Sequence, residues 1–209
     1  MKKFFHEYSY NIVKMFVNQF AIALFGFFLA MATMGINPES ESFDWLTFIV
    51  GIFAAVFYLF LIYTLAWDIG AKDKISIDVR KKPYRPHLGL LISLVANIPN
   101  LALAFLNIFS TLGNESEGSN SLFKDGIRVI IRLAPEFFNG MYYGIIDSLR
   151  IIIKGELIPL NRLWPTFFLT IIPALLTSWL AYFLGLKNFR FFSFINNKKP
   201  PVDEPKIKK

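Results

Sequence analysis

LGLLISLVANIPNLALAFLNIFSTL, residues 88–112, contains no Asp, Glu, Lys or Arg and is long enough as a helix to cross a hydrocarbon layer of about 30 Å. Ser93, Asn97, Asn100, Ala104, Asn107 and Thr111 recur at spacings of three and four and fall within one arc of about 80° on a helix. In lipid, such a polar edge has to face protein or water. Pro99 lies within this edge. It removes one backbone donor and leaves the Val95 carbonyl without its usual partner, which predicts a kink.

Three other windows free of Asp, Glu, Lys and Arg reach spanning length: 15–36, 46–67 and 165–186. The chain has 209 residues, 55% of them hydrophobic and 17% aromatic, with a mean hydropathy of +0.47. That exceeds the apolar content a soluble domain of this size buries. The expected fold class is all-α, a polytopic membrane bundle of four transmembrane helices plus two external amphipathic helices. Residues 1–195 form one integral membrane domain, and 196–209 are a disordered basic tail.

The basic residues set the orientation. Lys2, Lys3 and Lys14 precede the first span; Lys72, Lys74, Arg80, Lys81, Lys82 and Arg85 lie between spans two and three; seven more follow residue 186. The loop at 37–45 has only Glu39, Glu41 and Asp44. This asymmetry places both termini in the cytoplasm, and the expected host is the plasma (cell) membrane. The net charge of +7 reads as a topology signal and an attraction to anionic lipid headgroups. It does not read as nucleic-acid binding, since no basic soluble domain accompanies it.

The first span follows Lys2 and Lys3 but is longer than a secretory h-region and has no clear cleavage site, so it reads as uncleaved. It carries Gln19, Ala23, Gly26, Ala30 and Thr33 at spacings of four and three. The second carries Thr47, Gly51, Ala54 and Tyr58 on one face. Such small-residue edges let a neighbouring backbone approach closely. The fourth repeats the pattern with Thr166, Thr170, Pro173, Ala174, Thr177 and Ala181, and Pro173 predicts a second kink. The polar edges of spans three and four are expected to face the interior.

Residues 68–87, DIGAKDKISIDVRKKPYRPH, read as a loop. Ile75, Ile77 and Val79 alternate with polar residues as in a short strand, and the Pro-rich run after them cannot be helical. Its cations are candidates either for lipid headgroups or for a partner membrane or cytoplasmic protein. On the opposite side, GNESEGSNS at 113–121 is a polar linker whose Asn114-Glu115-Ser116 matches a glycosylation acceptor pattern common by chance. Two amphipathic helices are expected after it, 122–134 and 141–154, broken at Pro135 and at Asn139-Gly140 and lying on the outer leaflet or capping the bundle.

The sequence has no cysteine and two histidines, His6 and His87, flanking different spans. Neither a thiolate metal site nor a Cys nucleophile exists, and no metal or cofactor is expected. The motifs of phosphate loops, zincins, α/β-hydrolases and dinucleotide folds are absent. No carboxylate or histidine falls inside the four windows, so intramembrane acid–base catalysis has no evident carrier. An interfacial set would have to come from Glu136, Asp147 and Arg150, residue types ordinary on a helix surface. Two functions remain. One is a non-enzymatic membrane subunit or accessory module that contacts a partner. The other is an oligomeric transport or channel component, since four spans rarely enclose a pore alone; a small polar solute or ion would pass along Ser93, Asn97, Pro99, Asn100 and Asn107 with Thr170 and Pro173 opposite.

Overall fold

A computed structural model describes residues 2–34, 44–112, 122–153, 155–163 and 165–189. The expected disordered tail, most of the loop at 37–45 and the 113–121 linker with its acceptor pattern lie outside those residues, as does the Thr111 side chain.

α1 (Lys2–Met34) and α2 (Trp45–Asp78) are long helices of 33 and 34 residues. At about 1.5 Å per residue each measures roughly 50 Å, well beyond the apolar thickness of a bilayer. Asp44 caps α2 by accepting from the Leu46 and Thr47 amides at 3.1 and 3.2 Å, and these bonds hold its pKa below the ordinary carboxylate value, the Thr47 side chain contributing most. α3 (Leu88–Ala96) and α4 (Ile98–Leu112) follow, bent by 52°. The break falls at Asn97, which places Pro99 in the first turn of α4, where a missing N–H costs least. α7 (Pro165–Leu169) and α8 (Ile171–Leu186) are interrupted at Thr170, so Pro173 likewise falls in a first turn. Among the described residues, three stretches are long and apolar enough to cross a membrane: Phe4–Thr33, Trp45–Asp78 and Pro165–Leu186. The α3–α4 pair makes a fourth if the bent helices count as one span. The protein is therefore a mostly helical membrane protein.

Several sequence expectations need correction. Residues 68–78 are not a loop with a strand: α2 runs unbroken to Asp78. Alternation over five residues cannot separate a period of 2 from one of 3.6, and the helix continues because its inner side, Ile69, Gly70 and Asp73, stays buried beyond the apolar run. It ends in a left-handed cap. Arg80 has φ 55°, its amide donates to the Ile77 carbonyl and that of Lys81 to the Ser76 carbonyl, the Schellman pattern.

The external region also differs. α5 (Leu122–Phe138) continues through Pro135, whose side chain is buried, and ends at Asn139. α6 (Gly140–Ser148) does not lie on a surface. Met141, Tyr142 and Ile146 are buried, and the helix is wedged against α1 and α2. The second expected amphipathic helix stops at Ser148. Strands β1 (Arg150–Ile153) and β2 (Glu156–Pro159) then form an antiparallel hairpin with Ile151 opposite Ile158 and Ile152 opposite Leu157. The three consecutive isoleucines of β1 favour strand over helix, and Gly155 at φ 86° supplies the tight turn. The fold is thus not purely α.

α6 explains the small-residue edges of the first two spans. Gln19, Ala23, Gly26, Ala30 and Thr33 are all buried, and the backbone they admit is that of α6 as well as α2. A β-carbon on Gly26 would come within 2.6 Å of Met141 Cα, and one on Gly51 within 2.6 Å of the Ile145 nitrogen. From the other side, a β-carbon on Gly144 would meet Gly51 Cα at 2.9 Å. α2 and α8 meet in the same way through Gly70 and Gly185, where a side chain on Gly185 would lie 2.9 Å from the Ala71 nitrogen. Close backbone approach, which increases dispersion contact, is how helices associate when lipid is as apolar as their side chains.

Gly144→Leu should therefore destabilise the protein by about 3 kcal/mol or more, because backbone and not a movable side chain opposes it. Gly126→Ala, at a helical position with nothing within 4 Å, should leave stability unchanged or raise it by up to about 1 kcal/mol. Thermal unfolding in detergent compares the two.

Candidate functional site

The polar residues of α3 and α4 lie inside. Ser93, Asn97, Asn100 and Asn107 are all buried. Asn97 Nδ2 donates to the Ser93 carbonyl at 2.8 Å, an oxygen that also accepts the Asn97 backbone amide at 3.0 Å, and Asn97 Oδ1 accepts from Gln19 Nε2 of α1 at 3.0 Å. Ser178 Oγ on α8 donates to the Gly89 carbonyl of α3 at 3.0 Å. At the far end of α1 and α2, the Thr33 and Thr47 hydroxyls share a 2.9 Å hydrogen bond. Buried side-chain oxygens without a hydrogen-bond partner among the described residues include Gln19 Oε1, Ser93 Oγ, Asn100 Oδ1 and the Tyr58 and Tyr142 hydroxyls.

On the α7–α8 edge, Thr170 Oγ1 donates to Asn139 Oδ1 at 2.8 Å, while Asn139 Nδ2 donates to the Pro135 carbonyl at 2.8 Å. Asn139 thus ties the α5–α6 junction to the Thr170 interruption, a role sequence spacing did not show. Pro173 is half-buried. Asn97 bonds to α1.

A second polar centre lies where the start of α1 meets the ends of α2 and α8. Asp73 is 4% exposed. Its Oδ2 accepts from the Tyr8 and Tyr182 hydroxyls, each at 2.9 Å, and its Oδ1 accepts from Lys82 Nζ at 2.5 Å. Lys82 also pairs with Glu7, donates to the Tyr8 hydroxyl at 3.2 Å, and stands 5.0 Å from the centroid of the Tyr8 ring. A carboxylate this buried needs such donors, since an unpaired charge there would be neutralised or expelled. Burial works against the Lys82 charge, but the hydrogen bonds to Asp73 and Glu7 outweigh it and leave its pKa above the ordinary 10.5. A cavity of about 480 Å³ opens beside the cluster.

The predicted cations divide accordingly. Lys72 pairs with Asp68 at 2.6 Å on the exposed side of α2. Lys74 is half-buried on the same helix, and Arg80 occupies the left-handed cap. Lys81, Lys82 and Arg85 line the cavity, Lys81 and Arg85 exposed and Lys82 half-buried. Tyr8, Asp73 and Tyr182 were not singled out from the sequence. They lie 65 and 109 positions apart, and the only local signal was a carboxylate in a cation-rich stretch between two spans. Of the interfacial acid–base set, Asp147 is half-buried with its pKa raised by burial, an effect the Arg150 charge opposes, while Glu136 lines an apolar groove with Phe27, Phe137 and Tyr143. Among the described residues, no three of His, Asp and Glu converge as metal ligands.

The fold and its two polar centres define a helical integral membrane protein. No family model matches the chain, and no curated protein or solved structure is significantly similar to it.

Lys82→Met should cost about 3 kcal/mol, because it leaves Asp73 buried beside two hydroxyls without a cation. The double variant Asp73→Asn/Lys82→Met should recover most of that loss, as a double-mutant cycle on unfolding midpoints will measure. The pair's contribution is fully present below the ordinary lysine pKa of 10.5 and should fade as pH rises through the higher folded value.

Proposed function

We propose that the chain crosses the membrane four times, with both termini in the cytoplasm, and serves as a non-enzymatic subunit or accessory module of a membrane assembly. The observation that carries this reading is how the polar groups are used. Inside the bundle, Gln19, Asn97, Asn139, Thr170 and Ser178 are engaged between helices, so they act as cross-links between them. Lys81 and Arg85, without a carboxylate partner among the described residues, lie exposed beside the Asp73 cluster. The protein therefore presents its recognition chemistry at the cytoplasmic membrane boundary, to anionic headgroups and to a partner membrane or cytoplasmic protein, or to a second copy of itself.

A second reading rests on a specific observation. Gln19 Oε1, Ser93 Oγ and Asn100 Oδ1 are buried without partners among the described residues, and uncommitted acceptors close to one helix break are what a small polar solute or ion in transit would use. Such a route would need several copies of the chain.

Replacing Asn97, Asn100 and Asn107 with Leu separates the two. An accessory module should lose stability but show no solute flux above empty vesicles, in either form. A transport component should show flux that the triple variant abolishes. Topology is testable without background in a chain lacking cysteine. Single cysteines at Lys81 and Glu156 should label from opposite sides, and labelling of both from one side contradicts the four-span arrangement.

A further inference from the structure

The cavity beside Asp73 measures about 480 Å³, and its charges are arranged unevenly. The deep wall holds Asp73, whose two oxygens already accept from Tyr8, Tyr182 and Lys82, while Glu7, itself exposed, pairs with the same lysine. That wall is saturated with donors, and an incoming cation would have to displace the Lys82 ammonium. The outer wall is different. Lys81 and Arg85 line the cavity, are exposed, and have no carboxylate within ion-pair distance among the described residues. Counted over the whole lining, three cations face two carboxylates.

Local structure fixes this outer wall. The left-handed cap at Arg80 ends α2, and the amides of Lys81 and Lys82 both donate to the Ser76 carbonyl, at 2.9 and 3.3 Å. Lys82 is thereby turned inward to Asp73 while Lys81 stays at the rim. Pro83 and Pro86 limit the backbone on either side of Arg85. Phe4, Ile77 and Leu88 supply apolar lining next to the charged rim. The volume of about 480 Å³ falls within the usual range for small-ligand sites.

We propose that this cavity is a binding site for a phosphate-bearing ligand, with the Arg85 guanidinium and the Lys81 ammonium as its anion-binding groups and the Phe4–Ile77–Leu88 side taking the apolar part. A guanidinium matches two phosphate oxygens at once, and a lysine adds a mobile point charge. The phosphate comes either from a phospholipid headgroup, whose chains would continue along the bundle, or from a soluble phosphate compound. The site does not depend on the partner reading, because it uses only groups already within one cavity.

The test uses the full chain, purified in detergent and stripped of lipid. Its unfolding midpoint is followed while dihexanoyl phosphatidylglycerol or inorganic phosphate is titrated, each against sodium chloride at matched ionic strength. Lys81→Gln/Arg85→Gln removes exposed, unpaired charges and should fold normally. Lys72→Gln, which alters a cation outside the cavity, is the control. A saturable upward shift with the lipid but not with inorganic phosphate, weakened roughly tenfold or more in apparent affinity by the double variant and unchanged by the control, supports the site and assigns it to a headgroup. The same pattern with inorganic phosphate supports the site and assigns it to a soluble ligand. No saturable shift beyond salt with either probe, or equal binding by the double variant, overturns the proposal.

Discussion

The Gln19 amide reaches across from α1 to the Asn97 side chain at the point where the third helical rod bends, and much of the architecture follows from the need for contacts of that kind. Helices surrounded by hydrocarbon gain little from hiding apolar side chains from one another. What separates one face from another is whether a backbone can come close and whether a polar group can find a partner. In this chain the two requirements fall on the same edges. Gly26 and Gly51 admit α6, Gly70 and Gly185 bring α2 against α8, and Ser178 bonds to the carbonyl of Gly89 where α3 crosses α8. Phe28, Phe53, Val56, Leu176 and Leu180 point outward, as lipid-facing positions should.

The same rule accounts for the polar centre at one end. α1 and α2 both extend beyond a bilayer's apolar thickness, so their outer turns can carry charge. Asp73 occupies a buried position there only because three donors from three segments surround it. That cluster ties the start of α1, the end of α2, the following turn and the end of α8 into one unit. Its bonds also orient the basic segment after α2, leaving Lys81 and Arg85 outward and Lys82 inward.

Much of the interior was legible because helical periodicity is a local property. The 100° repeat that groups Ser93, Asn97, Asn100, Ala104 and Asn107 needs no knowledge of neighbours, and all five are buried. The bend near Pro99 follows from one missing amide proton. What the small-residue edges of α1 and α2 pack against was not legible, since the short α6 lies about 90 residues beyond Gly51 in the sequence and its own pattern resembles a surface helix. Short alternations misled in both directions. Ile75, Ile77 and Val79 suggested a strand where a helix persists, whereas Ile151 to Ile153 were absorbed into a helix where β-branching and Gly155 make a hairpin. The Asp73 cluster joins side chains that no window of sequence contains.

The central claim is that the amide-bearing edge of the bent rod faces protein and not lipid. Nitroxide scanning along residues 88–108 in lipid bilayers, read as collision with dissolved oxygen against a water-soluble nickel reagent, addresses it position by position. Oxygen accessibility should be lowest at 93, 97, 100, 104 and 107 and highest at Leu91, Leu94, Ile98, Phe105 and Leu106, the exposed positions. Maxima at the three asparagines would contradict the account.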